Sequence, residues 1–404
     1  MEDNRRIPPT FVDPLLAQEE FKGPRFDPPT VGETPVTYDR RPSLSGRRRR
    51  GALDVLASPE SRLLFSVSAV LVATVVLGTA GRDDQPAVTL STVTAPAAGV
   101  PAPVPSDRRV LVSDPANTAI VREIAGNLLT VESIIPPGAN GHTYEPVPGD
   151  AIKAASADLF IENGLDLNPS VTRFVAANAR NGMQEIKLAD AVPEAEVIST
   201  DSAAEIASHG HAHAFNAHLW TDPVYAIAYA EKIKVALSSL DPPNAAIYSE
   251  RAAKFINRLR VLDATFRAAI DSIPSANRKL VVYHDSWAYF GRRYGIPVIG
   301  AIQPVTFSEP SADEVRRMID QIRREAVPAF FGSEVFPSEV LATVAAETGA
   351  NYHADLSDEE LPGAPGTPEH SYEGMMIANV RLITSALGGN SALLDNLRPG
   401  VSPS

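Results

Sequence analysis

Apolar and polar positions alternate in three different ways along the chain. Residues 63–80 read LLFSVSAVLVATVVLGTA, an apolar run without a charge. As a helix it would span about 27 Å, close to the ~30 Å of a bilayer hydrocarbon core. From Arg109 onward the pattern changes to short apolar runs separated by helical spacing. RVLV at 109–112 is of strand type, followed by Asp114-Pro115 and apolar positions at Ile120, Ile124 and Leu128. Residues 131–135 predict the next strand, a helix begins near Pro148, and Leu159-Phe160-Ile161 is a third strand. Strands alternating with helices predict an α/β lobe built on a parallel sheet, whose ligands gather at strand ends.

A helix follows Asp222-Pro223 through Leu240, and Asp241-Pro242-Pro243 interrupts it. Asn244 then heads a long helix with apolar positions at Tyr248, Phe255, Leu259, Leu262, Phe266 and Ile270, ending before Pro274. Globular helices usually run to about 20 residues, so this one predicts a strut between two lobes. The second lobe carries strands over 280–283, 297–302, 329–331 and 351–354 and closes on a helix over 372–387. The predicted fold is α/β, two parallel-sheet lobes joined by one long rigid helix. Its parts are an N-terminal lobe over 109–240, a linking helix over 241–274 and a C-terminal lobe over 275–394.

Composition separates this body from what precedes it. Fourteen of the 35 prolines fall in the first 108 residues, and residues 1–62 carry 11 Lys/Arg against 10 Asp/Glu, leaving −14 of the overall −13 to the rest. Residues 1–62 read as a disordered cytoplasmic tail, 81–108 as a Pro/Ala-rich spacer and 395–404 as a disordered end. Arg40, Arg41, Arg47–Arg50 and Arg62 precede the apolar run, and by the positive-inside rule they keep the tail in the cytoplasm and put the body outside. Residues 63–80 are thus a transmembrane signal anchor, or a signal peptide cut near Gly78-Thr79-Ala80. With no cysteine in the sequence, disulfide frameworks, thiolate metal sites, cysteine nucleophiles and a lipidated cysteine are excluded. An acidic balance argues against nucleic acid and suits a cation.

The chemistry lies in eight histidines, at 142, 209, 211, 213, 218, 284, 353 and 370. His142 follows a predicted strand in GANGHTYEPVPGD, and His218 precedes a helix in NAHLWTDP. His284 ends the strand LVVYH, and Asp355 follows the strand NYHA. Four candidate ligands therefore lie at strand ends or loops, two in each lobe, and imidazole with carboxylate is a donor set that zinc accepts.

The phrases GHTYEPVPGD, NAHLWTDP, VVYHDSWAYFGRRYGI, SEVFPSEVLATVAAETGA and HADLSDEE…SYEGMMIANV resemble, in collinear order, the signatures of the cluster A-I solute-binding proteins. These are the zinc- and manganese-binding components of metal ABC transporters. The resemblance implies a metal held between the lobes by His142, His218, His284 and Asp355, with Glu334 supporting them. It implies a permease and its ATPase as partners and no catalysis. The family's usual Asp-Pro or Asn-Pro before the second histidine is Asn216-Ala217 here, and the family's lipidated cysteine is missing, which leaves residues 63–80 to tether the protein.

Three imidazoles and one carboxylate favour Zn2+ as cargo over Mn2+, which prefers more oxygen donors. His209, His211 and His213 resemble a short version of the histidine-rich loop of zinc-type members, an auxiliary collector of metal. The predicted protein is a monomer. The competing classes are a manganese-type binder, a tethered metal buffer and a zinc hydrolase in which Asp355 serves as base. No H-E-x-x-H, G-x-S-x-G or Walker A sequence supports an enzyme.

Overall fold

The computed structural model describes residues 102–199, 215–303, 310–333 and 339–400. The apolar run at 63–80, the histidines at 209, 211 and 213, and Glu334 lie outside these residues. Among the described residues, no helix is long and apolar enough to cross a membrane.

Two four-stranded sheets organise the body. In the first, β1 (Arg109–Val112), β2 (Thr130–Ser133), β3 (Leu159–Glu162) and β4 (Gln184–Lys187) lie in the order β2-β1-β3-β4, all parallel. In the second, β5 (Leu280–His284), β6 (Val298–Gln303), β7 (Ala329–Ser333) and β8 (Asn351–Leu356) lie in the order β6-β5-β7-β8, again parallel. β3 is buried along its whole length, as expected where helices cover both faces of a parallel sheet.

Local chemistry sets the helix starts. In α1 (Pro115–Ala125), Asp114 caps the N-terminus by accepting from Asn117 N, and Pro115 fills the first turn, where no amide donor is needed. The helices α2 (Pro148–Ser156) and α3 (Pro169–Asn178) also begin at proline, and Asn168 caps α3. Helix α4 (Pro223–Leu240) is followed by the predicted long helix, α5 (Ala245–Asp271). At 27 residues, α5 is about 40 Å long. One apolar cluster runs from Val110 and Leu159 through Trp220, Phe255 and Leu259 to Leu280, Phe331 and Met375, so both lobes share a core with the strut. The C-terminal lobe adds α6 (Ala288–Tyr294), α7 (Ala312–Glu325), α8 (Glu339–Thr348) and α9 (Tyr372–Ala386).

Arg258 of α5 fastens the two lobes. Its Nη2 donates to Glu123 of α1 at 2.6 Å, and its Nε donates to Glu373 of α9 at 2.9 Å, both carboxylates being buried.

Both ends of the body extend further than the sequence suggests. The far end of the expected spacer is pinned to the strut, because Val104 N donates to Asn244 Oδ1 at 2.9 Å and Asn244 Nδ2 donates back to Val104 O at 2.8 Å. The expected disordered end begins too early at 395, since Gly400 N donates to Glu373 Oε2 at 3.0 Å.

Candidate metal centre

Ligand-bearing loops leave the carboxyl ends of the strands in both lobes, the usual place for a site in an open parallel sheet. His142 lies in the loop between β2 and α2, which two asparagines shape. Asn140 Oδ1 accepts from His142 N at 2.8 Å and from Thr143 N at 3.0 Å, forming an Asx turn. Asn168, besides capping α3, donates to Gly141 O at 2.8 Å. His218 precedes a 3-10 turn, Leu219–Thr221, which is tied to the other lobe. Trp220 Nε1 donates to Asp358 O at 2.7 Å, and Thr221 Oγ1 donates to Ser286 O at 3.2 Å. His284 is the last residue of the interior strand β5.

The three histidines converge. His218 Nε2 stands 2.9 Å from His142 Nε2 and 3.1 Å from His284 Nε2. The three ring centroids are 4.7–4.9 Å apart. Metal–nitrogen bonds of about 2.0–2.1 Å put the donors of a tetrahedral zinc roughly 3.3 Å from one another, so the observed spacing is close to one coordination edge.

Asn216 sets the orientation of His218. Its Oδ1 lies 3.0 Å from His218 Nδ1 and accepts from His218 N at 3.0 Å, while its Nδ2 donates to Asp285 O at 2.6 Å. An acceptor at Nδ1 holds the proton there and leaves the Nε2 lone pair for a cation. Burial, together with the neighbouring His284 and His142, holds the His218 pKa well below the ordinary imidazole value, which keeps that lone pair available. Two aspartates interact electrostatically with His284. Burial raises Asp358 and Asp285 above the usual carboxylate range, opposed in both by His284. A divalent cation nearby would offset part of the solvation these groups have lost and favour their ionised form.

The fourth ligand implied by the resemblance is not at this cluster. Asp355 is exposed on β8, and among the described residues it joins no group of metal-capable donors. A β-bulge is the physical reason: Phe331 pairs with His353 but Ser333 pairs with Leu356, so β8 carries one residue more than β7. A bulge re-aims the side chains around it, here turning Asp355 to solvent and Leu356 inward. The carboxylates that do approach are Asp358 and Glu359, whose oxygens lie within 4.8 Å of each other and of a His218 nitrogen. Sequence reasoning missed both, along with Asn216 and Gly141. The acidic run Asp358-Glu359-Glu360 was the available signal. Of the remaining histidines, His353 stacks on Phe331 with ring centroids 5.7 Å apart and joins no group of metal-capable donors among the described residues.

Two parallel-sheet lobes on a shared strut, with three converging imidazoles between them, define a bilobal metal-binding protein. Comparison with known proteins agrees. A family profile described as "Zinc-uptake complex component A periplasmic" matches residues 110–386. The iron-binding protein YfeA of Yersinia pestis is 31% identical over 270 residues, 67% of this chain and 83% of the relative. The manganese-binding lipoprotein MntA of Halalkalibacterium halodurans is 27% identical over 269 residues, 66% of this chain and 84% of the relative. Among solved structures, the periplasmic zinc-binding protein TroA from Treponema pallidum superposes with a TM-score of 0.63 at 25% identity, covering 70% of this chain and 99% of that one. A manganese-bound mutant of a periplasmic metal-binding protein from Candidatus Liberibacter asiaticus gives 0.61 at 26% identity, covering 70% and 100%. The chain belongs to the family of metal-binding components of ABC transporters. These are solute-binding proteins, and the hydrolase alternative finds no support.

Proposed function

We propose that this protein captures Zn2+ outside the cytoplasm and delivers it to the permease of an ABC importer, which its ATPase drives. The convergence of the Nε2 atoms of His142, His218 and His284 at about 3 Å carries this reading. A site dominated by neutral imidazole favours zinc, whereas manganese favours oxygen. Relatives named for iron, manganese and zinc share the fold, so the donor set, rather than the family, supports the metal assignment. Residues 63–80 would tether the protein, a role that the lipid plays in the relatives named lipoproteins.

The second reading is a manganese carrier. It draws on Asp358 and Glu359, which bring additional oxygen donors to His218. Metal analysis of protein isolated from its native cells, followed by competition between Zn2+ and Mn2+, separates the two. One zinc per chain that excess manganese fails to displace supports the proposal. Manganese on isolation, held against stoichiometric zinc, refutes it.

A further inference from the structure

A cavity of about 290 Å3 lies where the N-terminal lobe meets the segment between β8 and α9, and none of the three converging histidines lines it. Pro115, Thr118 and Arg122 reach it from α1, at the spacing that puts side chains on one helix face. Pro136 and Pro137, from the loop that carries His142, form a second wall. Leu361 and His370 close it from the C-terminal lobe. The volume lies at the lower end of the range for small-ligand sites. Arg122, Pro136 and Pro137 are exposed, so the cavity opens to solvent on that side.

The charges around it are unequally engaged. Lys153 donates to Asp150 Oδ1 at 2.9 Å, and Glu132 accepts from Arg109 Nη2 at 2.8 Å. Glu360 Oε1 accepts from Gly138 N of the opposite lobe. Arg122 donates from Nη2 to Val131 O at 3.0 Å and forms no ion pair among the described residues, although Glu132 acts on it electrostatically. Its remaining guanidinium donors suit a carboxylate, which matches their fork. His370 Nδ1 is buried without a hydrogen-bond partner among the described residues, so the ring can meet a ligand only through Nε2. Glu132 and Glu360 also line the wall, and they would repel a second negative charge on the ligand. Three prolines and Leu361 offer an apolar surface to the rest of it.

We propose that this cavity binds a small monocarboxylate with an apolar body, its carboxylate on Arg122 and its body against the prolines and Leu361. The occupant bridges α1, the loop that carries His142 and the segment before α9, so it favours the arrangement in which the lobes meet. The site is separate from the metal centre and fills without a metal.

Benzoate is the test ligand, titrated calorimetrically into full-length protein, both metal-free and zinc-loaded, with acetate and inorganic phosphate for comparison. Benzoate is expected to bind both forms with a Kd of about 1 mM or tighter. Acetate, which lacks the apolar body, and phosphate, which lacks it and carries more charge, should each bind at least about 10-fold more weakly. Arg122→Gln should weaken benzoate by about 10-fold or more. Arg122→Lys, which keeps the charge without the fork, should fall between it and the parent. Leu361→Ala should weaken benzoate several-fold, and His218→Ala should leave its affinity unchanged. Thermal unfolding of each metal-free variant separates a lost contact from a lost fold. No benzoate binding to either form, parental affinity in Arg122→Gln, or phosphate bound as tightly as benzoate overturns the proposal. Benzoate binding that requires zinc and disappears in His218→Ala also overturns it, because the carboxylate would then be a ligand of the metal.

Discussion

Replacing Asn216 with Ala tests whether the orientation of His218 is built into the protein. Asn216 is buried and its side chain makes three contacts: with His218 Nδ1 at 3.0 Å, with His218 N at 3.0 Å and with Asp285 O at 2.6 Å. Alanine removes the acceptor that keeps the proton on Nδ1, so part of the population places it on Nε2, where it blocks the metal. Loss of such a partner costs about 10–100-fold in metal affinity, or roughly 1.4–2.7 kcal/mol. The imidazole N–H and the Asp285 carbonyl also lose their partners, which costs about 1–3 kcal/mol each in the metal-free fold where water cannot reach them. Isothermal titration with zinc reads the first quantity, and denaturant unfolding of the metal-free protein reads the second. Asn216→Asp restores an acceptor at Nδ1 without restoring the donor to Asp285 O. It should therefore recover most of the affinity and only part of the stability. If Asn216→Ala binds zinc like the parent, or if both variants lose affinity equally, the tautomer argument is refuted.

Three further outcomes are expected. Alanine at His142, His218 or His284 should weaken zinc binding far more than simultaneous alanines at His209, His211 and His213; equal effects in titration would discard the assignment of the three-imidazole centre. Arg258→Met leaves Glu123 and Glu373 buried together without their cation, which should cost about 3–5 kcal/mol in denaturant unfolding. Adding Glu123→Gln and Glu373→Gln should recover most of this loss, and a deficit below about 1 kcal/mol in the single variant would show that the pairing does not fasten the lobes. Asp222, raised by burial to about 6 from an ordinary 3.8, holds its proton more tightly when folded, so its contribution to stability falls as pH rises from about 4 to 6. Asn cannot ionise, so Asp222→Asn should gain on the parent across that window by an amount of order 3 kcal/mol, measured on metal-free protein; a pH-independent difference would contradict the burial argument.

The parts legible in the sequence are those that local chemistry determines. Apolar spacing between Asp241-Pro242-Pro243 and Pro274 marked α5 to within a few residues, because prolines bracket it and one face is buried throughout. His142, His218 and His284 were readable because each sits at a strand end or a helix start. What was not legible depends on pairing between distant segments. β4, with the polar sequence QEIK, has little apolar signal and is recognisable only beside β3. Asp355 stood in the right phrase, yet one extra residue in β8, visible only against β7, turns it outward. Glu359 reads as part of a solvated acidic run, and its partner Gly141 lies 218 residues away in the chain. Asn216, read as a departure from the usual phrase, proves to be the residue that orients His218.

X-ray absorption at the zinc edge of the loaded protein reads the coordination sphere itself. With His142, His218 and His284 on the metal, the expected result is a low-coordinate shell of nitrogen and oxygen near 2.0–2.1 Å. Outer-shell scattering from three imidazoles should drop to two in His284→Ala. A six-coordinate shell dominated by oxygen, or imidazole scattering unaffected by that substitution, would contradict a zinc centre built on these three histidines.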